Sequence, residues 1–161
     1  MSGSGRTRQG TLKLEVVIDA PPGRVFAHYA ELDLRRRWFS IPGDPAGGRH
    51  SLDLRVGGGE EARGVFAVAG TPETIEYRSR FYDIVPERRI VVASEALVQG
   101  RRRGVSLTTI ELVAEAPGTR LVMTEQYVLL DVTADGDAEV AEHEGGLRLQ
   151  LNGLRGALRG G

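Results

Sequence analysis

Leu12, Leu14, Val16 and Ile18 alternate with Lys13, Glu15, Val17 and Asp19, which predicts a half-buried strand with one apolar face. Asp19-Ala20-Pro21-Pro22 ends it, and proline suits the first turn of a helix, where its missing N–H has no partner to lose. Val25, Phe26 and Tyr29 then fall on one side of a short helix, and Leu32, Leu34, Trp38 and Phe39 predict a second after Glu31. Pro42, Gly43, Pro45, Gly47 and Gly48 read as a loop.

From Arg49 to Leu130 the dominant period is two. Strands are predicted at Ser51–Val56, Glu60–Ala69, Glu73–Val85, Arg89–Val98, Gly104–Glu115 and Thr119–Leu130. Gly- and Pro-containing turns separate them, the order expected of an antiparallel meander. After the polar loop Asp131–Asp137 the period changes. Val140, His143, Leu147, Leu151, Leu154 and Leu158 share one side of a long helix. Acidic residues precede or open this helix and Arg148, Arg155 and Arg159 close it, in keeping with its dipole. Gly145, Gly146, Gly153 and Gly156 oppose it, because each glycine costs a helix about 1 kcal/mol against alanine. The fold class is therefore α+β, with the terminal helix covering the apolar face of the sheet.

Met1–Gly10 lacks hydrophobic anchors and reads as a disordered tail, leaving residues 11–159 as a single domain. The length of 161 residues fits that organisation. No apolar run approaches a membrane span and no secretory signal is visible, so a cytoplasmic protein without membrane contact is expected. A net charge of −1 argues against nucleic acid as a partner. Cys is absent, which removes disulfides, thiolate metal sites and Cys nucleophiles, and three His make a multi-His metal centre unexpected. No cofactor and no metal are expected. Gly57-Gly58-Gly59 lies between strands rather than before a helix, the wrong context for phosphate binding.

Several segments resemble the SRPBCC or START-like superfamily. They are D-A-P-P-G-R-V-F-A-H-Y-A at Asp19–Ala30, R-R-W-F at Arg36–Phe39 and the glycine turn after L-D-L-R-V. F-Y-D-I-V-P-E-R-R-I and G-T-R-L-V-M-T complete the set. Within the superfamily the sequence is most similar to the branch of homologues of the activator of the heat-shock-protein ATPase, from about Thr11 to Leu158. The resemblance implies a helix-grip fold: a curved antiparallel sheet wrapped around the long C-terminal helix, two short helices after the first strand, and a cavity between sheet and helix. Members bind lipids, hormones, polyketides or other apolar molecules, and some are cyclases or aromatases. Members of the branch often carry Gly-Trp early in the last helix, where this sequence reads Gly145-Gly146; that departure implies either close sheet contact or an enlarged cavity. Ser79 stands where glycine is common.

The expected partner is a small apolar or aromatic molecule, held in a pocket of roughly 300–1,000 Å³. A polyketide-type cyclase or aromatase acting in the same cavity and a chaperone-interaction module are the alternatives, and a homodimer is compatible with an exposed edge strand or the Leu-rich helix. His143 is either a packed helix residue or a polar group that fixes a ligand or moves a proton. Glu125 and Tyr127 continue the alternation of Leu121 and Met123 toward the core side, where a carboxylate needs a partner. They are either an exposed strand end or a polar pair in the pocket. Trp38 seals the small helices onto the sheet or lines the ligand site, and Met123, Gly146 and Leu147 complete the candidate lining. Arg78 and Arg80 read as solvated cross-strand charges, and Arg101-Arg102-Arg103 as a solvated hairpin tip. No GxSxG, HExxH or P-loop is present.

Overall fold

The computed structural model describes residues 3–39, 49–68 and 70–159. The element order is β1 (Thr7–Ile18), α1 (Pro22–Ala30), α2 (Leu32–Arg35), β2 (Arg49–Leu52), β3 (Gly59–Val68), β4 (Thr71–Val85), β5 (Arg89–Val98), β6 (Arg101–Glu115), β7 (Gly118–Leu130) and α3 (Asp137–Arg159). The strands form a 7-stranded sheet in the order β1-β7-β6-β5-β4-β3-β2, with every neighbouring pair antiparallel. This is the α+β helix-grip arrangement, with two short helices after the first strand and the long helix packed on the sheet. The loop read at residues 42–48 lies outside the described residues. No described helix is long and apolar enough to cross a membrane.

The core follows the two periodicities. Leu14 and Ile18 of β1, Ile110 and Leu112 of β6, and Leu121 and Met123 of β7 join Leu151, Leu154 and Leu158 of α3 in one buried cluster. Burying side chains of this size is worth about 1.5–3 kcal/mol each, which secures the C-terminal half of the helix. Its N-terminal half is different: Leu147 is half-buried, and Gly145 and Gly146 are exposed. Register shifts at Phe81/Asp83 and Ala96/Leu97 bend the sheet where it curves around the helix.

Several boundaries differ from the sequence reading; Thr71 and Pro72 belong to β4, and Arg101–Arg103, read as a hairpin tip, open β6, where Arg101 pairs with Val98 and Arg102 with Leu97. The first strand begins at Thr7, inside the segment read as a disordered tail, and Thr7–Gly10 pair with Tyr127–Leu130. Backbone hydrogen bonds to the long β7 edge hold a segment that has no apolar alternation to betray it. The Ser4 hydroxyl adds a 2.8 Å bond to the Val132 carbonyl. β2 stops at Leu52 because the chain turns through Gly57 and Gly58 and bonds to β4. Gly57 N–H donates to Phe81 O at 2.8 Å, and Phe81 N–H to Gly58 O at 2.9 Å. Trp38 and Phe39 lie just beyond α2 rather than within a helix, buried against the core.

Candidate functional site: a cleft between the sheet and the last helix

Strand register aligns the residues of the concave face in rows. Tyr77, Ala96, Gly104 and Leu129 form one row; Ser79, Ser94, Ser106 and Tyr127 form the next. Phe81, Val92, Thr108 and Glu125 follow, and then Ile90, Ile110 and Met123. Because side chains alternate faces along a strand, all four rows point to the same side. The floor under α3 is thus apolar at one end and carries hydroxyls across its middle. Over it, Glu139, Glu142, His143, Gly146, Leu147, Gln150 and Leu151 of α3 form a wall, and Tyr29, Arg35, Trp38 and Phe39 close one end. The cleft, open at its rim, measures about 720 Å³. That is the size of a small-molecule site.

His143, Glu125, Trp38, Met123, Leu147 and Gly146 all line this cleft. Tyr127 stands behind them, its ring 5.0 Å from the His143 ring. Glu125 is buried and hydrogen-bonded to His143 Nε2, and its second oxygen accepts from Thr108 Oγ1 at 3.2 Å. The carboxylate expected to need a partner therefore has two, one from the neighbouring strand and one from the helix. With Glu125 as acceptor, the ring proton sits on Nε2, and Nδ1 remains as the ring's other polar atom. Arg78, by contrast, is on the opposite, solvated face, paired with Glu76 at 2.8 Å and Glu95 at 3.7 Å.

The sequence reading missed a second polar cluster. Arg35, from α2, grips the Glu60 carboxylate of β3 with two parallel hydrogen bonds, Nε–Oε2 at 2.9 Å and Nη2–Oε1 at 2.8 Å. His50 of β2 adds Nε2–Oε2 at 2.7 Å. Burial opposes the charge on Glu60, but the bonds from His50 and Arg35 outweigh it and hold the carboxyl below its usual range. Burial likewise opposes the charge on Arg35, and Glu60 more than restores it. The guanidinium carbon lies 3.9 Å from the Phe39 ring centroid, 4.4 Å from that of Trp38 and 5.5 Å from that of Tyr29, a cation–π box. Trp38 is fixed in turn by its indole N–H to the His28 carbonyl at 2.9 Å. The available signal was weak: Glu60 shares its alternation with buried Ala62, whereas Glu61 does not.

The helix glycines separate into two kinds. A Cβ at Gly153 would come to 3.4 Å from the Trp38 carbonyl oxygen, so this turn packs closely on the segment after α2. At Gly145, Gly146 and Gly156 a Cβ would meet nothing within 4 Å. Close sheet contact therefore explains none of them. Gly146 lies on the rim, where a missing side chain leaves the cleft open.

That rim is acidic. Glu73, Glu139 and Glu142 line it beside Arg103. The backbone N–H and hydroxyl of Thr133 bond to Glu139 at 2.7 and 2.8 Å and hold its carboxyl below the usual range. Among the described residues, no group of three or more His, Asp or Glu is arranged to hold a metal ion.

A comparison with curated proteins found no match. Solved structures similar to this chain include a protein from Rhizobium leguminosarum, at 33% identity and TM-score 0.82, covering 97% of this chain and 98% of that one. The Mll3558 protein from Rhizobium loti is also 33% identical, with TM-score 0.79 and coverage of 94% and 99%. CalU16 from Micromonospora echinospora shares the fold at 18% identity and TM-score 0.61, with coverage of 95% and 86%. The strand order, the two short helices and the sheet-gripped C-terminal helix agree with the family pattern that residues 19–159 match, and the chain belongs to the family described as Activator of Hsp90 ATPase homolog 1-like protein, within the SRPBCC superfamily.

Proposed function

We propose that the protein binds a small, largely apolar molecule with an aromatic part in the cleft between the sheet and α3. The observation that carries this reading is the cleft of about 720 Å³, walled by Trp38, Phe39, Phe81, Ile90, Val92, Ile110 and Met123. Apolar walls supply the binding energy, roughly 25 cal/mol for each Å² of apolar surface removed from water, and a few fixed polar groups set the orientation. Trp38 is the chain's single tryptophan and reports directly on the site. Titration with an uncharged naphthalene should quench or shift Trp38 fluorescence saturably and perturb Met123 and Leu147 methyl resonances. Saturable binding that leaves those resonances unmoved would refute the reading.

The Glu125–His143 pair favours a second reading, an enzyme of the cyclase or aromatase type that holds its substrate in the same cleft. A ring nitrogen oriented by a buried carboxylate is the arrangement that general acid–base catalysis uses. Once a turned-over substrate is in hand, His143→Ala and Glu125→Gln should each lower kcat while binding persists. Unchanged kcat in both would leave the cleft as a binding site alone.

A further inference from the structure

We infer that Arg35 is the polar anchor of the cleft, and that the molecule it selects is an uncharged aromatic bearing a hydrogen-bond-accepting oxygen, such as a ketone or a phenol, rather than a carboxylate. This inference rests on the binding reading above and sharpens it to a ligand chemistry.

The argument begins with hydrogen-bond capacity. A guanidinium has five N–H donors in a planar fork. Glu60 takes one from Nε and one from Nη2. Nη1 has no acceptor among the described residues, although Arg35 is only 7% exposed and lines the cleft. Nη1 is not sealed from solvent, so water serves it while the cleft is free, and an oxygen entering the cleft would take that place on an already oriented donor. Arg35 is also held in place: Glu60 clamps one edge of the plane, and Phe39, Trp38 and Tyr29 surround it. Pre-organisation of this kind lets a hydrogen bond contribute to affinity without the loss of side-chain freedom.

Charge then decides between neutral and anionic oxygens. Glu60 neutralises Arg35, so the pair has no net charge to offer an anion. The rim adds Glu73, Glu139 and Glu142, against Arg103. A carboxylate approaching Nη1 would pass these acids and then lie beside Glu60 in a poorly solvated site, where like charges repel strongly. A carbonyl or phenol oxygen accepts the same hydrogen bond without that repulsion. The rings of Trp38, Phe39 and Phe81 supply flat apolar surface on the approach to it.

A matched naphthalene series tests this with the wild-type protein: 2-acetylnaphthalene, 2-ethylnaphthalene and 2-naphthoate, followed by Trp38 fluorescence and by the Arg35 guanidinium resonances in 15N NMR. A hydrogen bond to a charged group corresponds to roughly tenfold or more in affinity. The ketone should therefore bind at least about tenfold tighter than the hydrocarbon and shift the Arg35 resonances, and the naphthoate should bind more weakly than the ketone. Arg35→Lys keeps the charge opposite Glu60 but removes the fork, and should abolish the preference for the ketone while hydrocarbon binding remains. Should Arg35→Lys fail to fold, the wild-type resonances still decide. Equal affinity for ketone and hydrocarbon overturns the anchor, as does a ketone that shifts His143 instead of Arg35. Tighter naphthoate binding overturns the neutral-ligand assignment. Failure of all three to bind would overturn the binding reading itself together with the anchor.

Discussion

Arg35 and Glu60 meet edge to edge, two charged side chains 7% and 2% exposed, from elements separated by the segment that follows α2. Removing one partner of such a buried pair leaves the other charge uncompensated, at a cost of about 3–5 kcal/mol. Arg35→Met should therefore destabilise strongly in a chemical denaturation experiment. The double change Arg35→Met with Glu60→Leu should recover much of that loss, because no buried charge remains. If the double variant is as unstable as the single one, the ion pair is not the source of the effect.

The same carboxylate makes stability depend on acid. Its folded-state pKa lies below the usual value of 4.5, so the stabilisation is present above that value and is lost as pH falls through the folded pKa. The melting temperature should decline below about pH 4.5, with Glu60 among the groups responsible. Glu60→Gln should be less stable than wild type at neutral pH and show a flatter decline on acidification. Parallel curves for the two proteins would remove Glu60 from the acid dependence.

Helix glycines give a prediction of the opposite sign. Gly145 faces open space, so Gly145→Ala should raise stability by about 1 kcal/mol, read as a higher melting temperature. Gly59 contrasts with it: a Cβ there would stand 2.2 Å from the Ser79 carbonyl oxygen. That backbone atom cannot swing aside, and Gly59→Ala should cost about 1–3 kcal/mol. Equal effects at the two sites would mean that the strand pair β3–β4 yields more easily than its register implies.

How far the sequence foretells this structure depends on the kind of signal. Leu14, Ile18, Leu121 and Met123 announce their shared face through period two, and Leu151, Leu154 and Leu158 through helical spacing. Glu125 and His143 could each be placed on an inward face, but a strand period and a helix period carry no information about which two residues will meet. Thr7–Gly10 were illegible because backbone bonding, not side-chain pattern, holds them. Arg35 and Glu60 were hidden for another reason: each stands beside identical residues, Arg36 and Arg37 or Glu61; Glu60 differs from Glu61 only in sharing its alternation with Ala62, and for Arg35 only the path of the chain turns one of the run inward.

Gly146 makes the cleft itself testable without knowledge of its natural ligand. It lies on the rim, exposed, with nothing within 4 Å of where a Cβ would be. A side chain placed there starts in open space, next to Leu147 on the helix and among the residues that line the cleft. Gly146→Trp should preserve or raise the melting temperature, since replacing glycine in a helix favours folding by a few tenths of a kcal/mol or more, up to about 1. Occupation of the mouth should at the same time weaken binding of 2-acetylnaphthalene by about tenfold, through lost apolar burial and blocked access. Gly146→Ala provides the control: it carries the helix benefit without the bulk, so its affinity should stay near wild type. Loss of binding in both variants would mean that the helix backbone at this position, and not the opening it leaves, governs the site.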